Sequence, residues 1–200
     1  MTKTLYESVG LVNDLPRGSA RYEYQRWTDM SKRALLRDVY SSRHWNMKQY
    51  EGCTLHPDWY YLSNFAEWIR SWDDWRNKEI DKDIKYKGNK VYGPDTCIMV
   101  TKPVNNFFVI GRKLDDLPQG VCHTDNPERH RNKLYRAISR FDGKQKWGGY
   151  HSTIEEAYEA FRTMKFESLE ILIEREQCLT VKQILQDIYE TKNSPSLSWW

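Results

Sequence analysis

LYRAISRFDGKQKWGGYHSTIEEA, residues 134–157, is the stretch from which the fold is read. From Leu134 to Phe141 the side chains alternate. Tyr135, Ala137, Ser139 and Phe141 fall on one face, and Leu134, Arg136, Ile138 and Arg140 on the other. That period of two is the mark of a strand with one face buried. Asp142-Gly143 is a two-residue hairpin signal, because both positions must adopt positive φ. A returning strand follows over Lys144–Tyr150. Ser152 with Glu155, or Thr153 with Glu156, can then form a capping box that starts a helix. Ala157, Phe161 and Met164 give this helix a small-then-large face suited to a sheet. A last helix is expected from Thr180, with Gln183 three residues on and Val181, Ile184, Leu185 and Ile188 as its apolar side. The half is therefore expected as three short strands followed by helices, within an α+β chain.

The preceding half reads differently. Residues 1–18, with Gly10, Pro16 and Gly18, form an irregular arm. A helical pattern over Ser19–Tyr40 places Tyr24, Trp27, Leu35 and Val39 among many charges. A second helix is expected with Ser63 as its cap. Its stripe Phe65, Trp68, Ile69 and Trp72 at i, i+3, i+4, i+7 reads as core. A strand-like piece at Glu79–Ile84, a turn at Lys87–Lys90, then Val91-Tyr92 and Cys97–Val100 follow. Residues 111–119, GRKLDDLPQ, read as a linker.

Composition narrows the function. In 200 residues, 39% are hydrophobic and 30% charged, and no run is long enough to span a bilayer. No membrane partner is expected, and the first residues lack a signal-peptide pattern, so a cytoplasmic location is expected. Cys53, Cys97, Cys122 and Cys178 form no C-x-x-C pair and read as reduced, packed residues. Nine tryptophans and thirteen tyrosines argue against disorder and leave rings for binding surfaces. The net charge is only +3, but it is segregated. Seven Lys/Arg lie within 129–146 against Asp142 alone, whereas 155–190 carries nine acids and four bases. Such a layout suits a phosphate-facing surface backed by an acidic helix. No P-loop, nucleophile elbow or dinucleotide-binding glycine pattern is present in the sequence.

Gly120-Val121, Tyr135-Arg136-Ala137, Gly143-Lys144, Gly148-x-Tyr150, Ser152-Thr153, Glu155-Glu156-Ala157 and Ala160-Phe161 resemble the APETALA2-type DNA-binding domain. The resemblance covers about residues 118–165, with a longer, more basic segment at 122–132. It implies a DNA-binding domain over 120–166, its three-stranded antiparallel sheet in the major groove of double-stranded DNA and its helix behind. Arg136 and Arg140 would face the DNA, with Lys144 and Lys146 beside them on the next strand and His123 touching phosphate. Residues 167–200 would form C-terminal helices and a tail.

The first half has its own resemblance. Tyr24-x-x-Trp27, Tyr50-Glu51-Gly52-Cys53, Ser63-Asn64-Phe65-x-x-Trp68-Ile69, Asp81-Lys82-Asp83-Ile84, Gly88-Asn89-Lys90-Val91-Tyr92 and Pro94-Asp95-Thr96-Cys97 resemble a phage-encoded HNH or homing endonuclease group. This implies a helical domain over 19–110 with a degenerate ββα (HNH-like) finger. It also implies residence in the cytoplasm of a phage-infected bacterial host. Asp81 matches the family's Asp, Lys82 stands at the position of the general-base His, and Gly88-Asn89-Lys90 matches the turn. Thr96 replaces the structural Asn, and Asn105 falls where the last Asn belongs.

The activity so implied is metal-dependent hydrolysis of DNA phosphodiester bonds. Its catalytic set would be Asp81, Lys82, Asp83, Asn89 and Asn105, with Mg²⁺ or another divalent metal on Asp81 and Asp83. As i and i+2 of a strand, the two carboxylates would point the same way and Lys82 the other, unless a β-bulge turned it inward. An unperturbed lysine is a poor base near neutrality. The replaced His and Asn therefore keep open a DNA-binding regulatory or anti-defence protein without cleavage. A third reading is a protein–protein interaction module. Zinc is not expected, since Cys53, His56 and Cys97 lack a fourth ligand.

Overall fold

In the computed structural model, which describes residues 4–40, 48–109, 116–130 and 133–193, the chain is α+β and divides into two compact units, Met1–Thr101 and Lys102–Trp200. In chain order the elements are α1 (Leu5–Ser8), α2 (Arg21–Ala34), α3 (Arg37–Tyr40), β1 (Thr54–Leu55), α4 (Leu62–Arg70), β2 (Lys78–Asp81), β3 (Val91–Tyr92) and β4 (Ile98–Thr101). The second unit continues with α5 (Lys102–Phe108), β5 (Val121–His123), β6 (Tyr135–Phe141), β7 (Lys144–His151), α6 (Ile154–Arg175) and α7 (Leu179–Glu190). Most of the expected linker, residues 111–115 of 111–119, lies outside the described residues, as do residue 110, His44, Arg131 and residues 194–200 of the tail.

In the first unit, α2 and α4 pack around an aromatic core. Trp27 and Trp59 are each 1% exposed, and the Trp27 indole donates to the Trp59 carbonyl at 2.7 Å, so its polar atom is satisfied where it is buried. Phe65 and Ile69 are fully buried while Trp68 and Trp72 pack at the margin, as the i, i+3, i+4, i+7 stripe implies. Ser63 does not cap α4, which starts one residue earlier. Its amide and hydroxyl both donate to the Asp14 carboxylate, at 2.9 and 2.5 Å, so an acid from the N-terminal arm serves the helix start. The arm also buries Leu11 and bridges to Tyr61 through Val12. The Ser19–Tyr40 pattern resolves into α2 and α3, separated at Leu35-Leu36. Strand β1 pairs parallel with β3, and β2 antiparallel with β4.

In the second unit β5, β6 and β7 form an antiparallel sheet in sequence order, with α6 across one face and α7 against α6. Ala137, Phe161 and Met164 form a shared core, and Val181, Leu185 and Ile188 bury the inner side of α7. Thr153 caps α6, accepting from the Glu156 amide at 3.2 Å, while Glu156 reaches back to the Ser152 amide at 3.0 Å. The helix then runs unbroken to Arg175, beyond residue 166. Two glycines decide the packing. A Cβ on Gly120 (φ +78°) would lie 2.0 Å from the Phe161 ring, and one on Gly148 would lie 2.8 Å from the Ala137 methyl. Among the described residues no helix is long and apolar enough to cross a membrane.

Candidate nucleic-acid interface

Register assigns the sheet face that α6 leaves open. Directly opposed residues of an antiparallel pair share a face. Cys122, Arg136 and Tyr150 form one row, Ile138 and Trp147 the next, and Arg140 and Gln145 the last. Arg136 and Arg140 thus lie where sequence alternation puts them. Lys144 and Lys146 do not. Asp142 (φ 51°) and Gly143 (φ 72°) close a two-residue turn, which pairs Phe141 with Lys144 and Ser139 with Lys146. Both lysines therefore sit on the α6 side, where Lys146 approaches Glu167 at 3.9 Å. His123 is exposed, but pairs with Tyr135 and packs on its ring at 5.5 Å, again on the face opposite Arg136.

Gln145, Trp147 and Tyr150 take the places expected for the lysines. Gly148-Gly149 makes this possible: a bulge between Arg136 and Ile138, with Gly149 at φ +90°, re-phases β7 so that Tyr150 stands beside Arg136. Trp147 is 47% exposed and meets Tyr150 edge to face at 5.2 Å. His130, from the loop after β5, stacks on Tyr150 with centroids 3.6 Å apart. Arg136 is oriented by Asp125 at 2.6 Å, and its Nε is buried with no hydrogen-bond partner among the described residues. Arg140 is exposed and has no ion-pair partner among them. From Arg136 to Arg140 the strand rises about 14 Å, close to the ~12 Å width of a B-DNA major groove.

The first unit holds four of the five residues expected to be catalytic, in a different geometry. Strand β2 ends at Asp81, so the strand-like reading through Ile84 is too long. The Asp81 carboxylate competes with the ladder: its Oδ1 accepts from the Asp83 and Ile84 amides at 2.7 and 2.6 Å, folding the chain into a turn. Burial outweighs these two bonds and raises the Asp81 carboxyl above its ordinary range.

Lys82 is buried, 5% exposed. Its ammonium donates to both Asp83 oxygens at 2.7 and 2.8 Å and to the Asn89 carbonyl at 2.9 Å. The Asn89 amide in turn donates to the Lys82 and Val91 carbonyls and accepts from the Val91 amide. Strand alternation thus fails where it was expected to separate Lys82 from the carboxylates. Asn105 lies half-buried on α5, at the start of the second unit.

This donor set does not fit a divalent cation. One Asp81 oxygen already takes two amides, and both Asp83 oxygens face an ammonium, which a metal would have to displace. Among the described residues no three His, Cys, Asp or Glu side chains converge as a ligand group. Nearby, burial pushes the Cys97 thiol up to about 12 and raises that of Cys53, so both pack as neutral groups.

The chain matches no family model, no curated protein and no solved structure at a significant level. The sheet face and the Lys82 turn therefore stand on their own geometry.

Proposed function

We propose that the chain is a DNA-binding protein whose open sheet face, β5–β7, lies against double-stranded DNA. The observation that carries this is the face itself: Arg136 and Arg140 flank Ile138, Trp147 and Tyr150 on the side away from α6. Arginine can bond guanine O6 and N7 or a phosphate, and the rings supply apolar contact to thymine methyls and sugars. The Arg136 guanidinium donates to Asp125 at 2.6 Å, and on binding a phosphate can take over that carboxylate's place.

The test is affinity for a short duplex across a salt series, read by fluorescence anisotropy. The logarithm of affinity is expected to fall with log salt by about 0.9 per phosphate neutralised. Binding that is flat in salt, or absent, overturns the reading and favours an aromatic protein-interaction face instead.

A hydrolytic reading is favoured by one observation. The β2–β4 ribbon runs directly into α5, the strand–strand–helix order of an HNH-type finger. It requires Asp81 and Asp83 to exchange their present partners first. Incubation with supercoiled DNA and Mg²⁺, Mn²⁺ or EDTA separates the two. Metal-dependent nicking that is lost in an Asp81→Ala/Asp83→Ala double variant makes the chain an endonuclease; intact plasmid with salt-sensitive retention supports binding alone.

A further inference from the structure

The two ends of the open sheet face differ. Arg140, at the hairpin end, is exposed, whereas the Arg136 side chain is only 26% exposed although α6 lies on the other side of the sheet. The chain after β5 accounts for the difference. The ladder runs one residue past β5, where the Thr124 amide donates to the Leu134 carbonyl at 2.8 Å. Thr124 therefore shares a face with Cys122 and Arg136 and is a diagonal neighbour of Arg136.

Residues 125–130 then bend back over that end. The Asp125 carboxylate accepts from Arg136 Nη1 at 2.6 Å, and the His130 ring lies flat on Tyr150, with 3.6 Å between centroids and 16° between planes. The segment is also knit to itself. Asn126 accepts from the Arg129 amide at 3.2 Å, and the His130 amide donates to the Pro127 carbonyl at 3.0 Å.

This closed arrangement strands two polar atoms. Arg136 Nε and Thr124 Oγ1 are buried with no hydrogen-bond partner among the described residues, and Thr124 is 7% exposed. Buried polar groups are ordinarily paired, and an orphan disfavours the state that creates it. A phosphate suits both atoms, because its oxygens can accept from Nε, from a terminal guanidinium nitrogen and from a hydroxyl together. The Asp125 carboxylate takes only Nη1.

We propose that Arg136 and Thr124 form a site for one backbone phosphate, closed in the free protein by residues 125–130 as a strap. Asp125 stands in for the phosphate and His130 covers Tyr150, so the duplex meets the open Arg140 end first and completes its contact when the strap swings off. The proposal rests on the duplex-binding reading and adds its regulation. A face open about one-tenth of the time shows about a tenth of its intrinsic affinity, which sets the scale of the gain from freeing it.

The test is anisotropy of the full chain with one short labelled duplex over a salt series. Asp125→Asn should bind about five- to tenfold tighter than the wild type, and His130→Ala about threefold tighter. Glu128 is exposed on the same strap and has no ion-pair partner among the described residues, so Glu128→Gln controls for the charge removed and should stay within about twofold.

Unchanged affinity in Asp125→Asn and His130→Ala, with salt-sensitive binding retained, overturns the strap and leaves the sheet reading standing. Equal tightening by Glu128→Gln overturns it too, as an effect of net charge alone. Weaker binding by His130→Ala makes that ring a DNA contact and likewise overturns the strap. No salt-sensitive binding by the wild type or any variant overturns both readings.

Discussion

Replacing Lys82 by methionine separates a structural lysine from a catalytic one. Methionine keeps the unbranched apolar stem, so little cavity is created, and removes only the ammonium. Three contacts go with it: the Asp83 oxygens at 2.7 and 2.8 Å and the Asn89 carbonyl at 2.9 Å. The Asp83 side chain is 47% exposed and can rehydrate, so its share of the loss is well below the ~3–5 kcal/mol of breaking a fully buried pair. The Asn89 carbonyl is less able to recover a partner, and an unsatisfied buried acceptor costs about 1–3 kcal/mol. Together these give a loss of about 2–4 kcal/mol for Lys82→Met. Urea unfolding followed by tryptophan fluorescence reads it, since Trp27, Trp59, Trp68, Trp72 and Trp75 all lie in or against the core that this turn borders. DNA affinity should be unchanged. A stability loss under about 0.5 kcal/mol, roughly the scatter of surface substitutions, together with loss of nicking, refutes the structural assignment and returns Lys82 to a catalytic role.

Other outcomes follow from the same contacts. Arg140→Gln should weaken duplex binding and lower the salt slope by about one unit, whereas Lys144→Gln should change neither; anisotropy at several salt concentrations reads both. Gly120→Ala should cost about 2–4 kcal/mol in urea unfolding, because a Cβ at positive φ collides with the Phe161 ring. Asp14→Ala should cost about 1 kcal/mol, the usual value of a lost helix-start acceptor, with no effect on DNA affinity. Burial lowers Lys165 to about 7, against about 10.4 in an unfolded chain. Between those values the unfolded chain holds a proton that the folded one lacks, so stability should climb with pH from 7 to 9. The gain is up to roughly 1.4 kcal/mol per unit. Below 7 both states are charged and the gain is lost; Lys165→Met should flatten the profile.

Much of the second unit was legible. Alternation through Leu134–Phe141, an Asp-Gly turn and a capping pair suffice for two strands and a helix, because each is a local signal with a local cause. The side of Lys144 and Lys146 was legible too, and was missed. A two-residue turn must pair Phe141 with Lys144, and Phe141 shares the face of Ala137. Turn parity therefore puts both lysines behind the sheet and points Gln145 and Trp147 outward. Tyr150 needed the further inference that Gly148-Gly149 is a bulge, for which the glycine pair was the signal. In the first unit the stripe from Phe65 to Trp72 gave the core of α4. The cap came from Asp14, far away in sequence, and no local pattern contains it. Asp81-Lys82-Asp83 falls within the piece expected as strand, Glu79–Ile84, of which only the part up to Asp81 is strand. An aspartate that can bond the amides two and three residues on ends a strand instead.

The two halves close on themselves over very different lengths of chain. In the first, Thr54 pairs with Val91 and Lys78 with Thr101, so little of its sheet structure can form until residues near 101 are available. In the second, β6 and β7 meet across two residues, and hairpins of that kind form in about 1–10 μs. Contacts between distant residues slow folding and nearby ones speed it. On a ribosome, then, the half made first waits with its tryptophans exposed, while the hairpin of the half made last can zip up as it emerges. Aggregation during synthesis should accordingly track the first hundred residues, and a chaperone's demand with it.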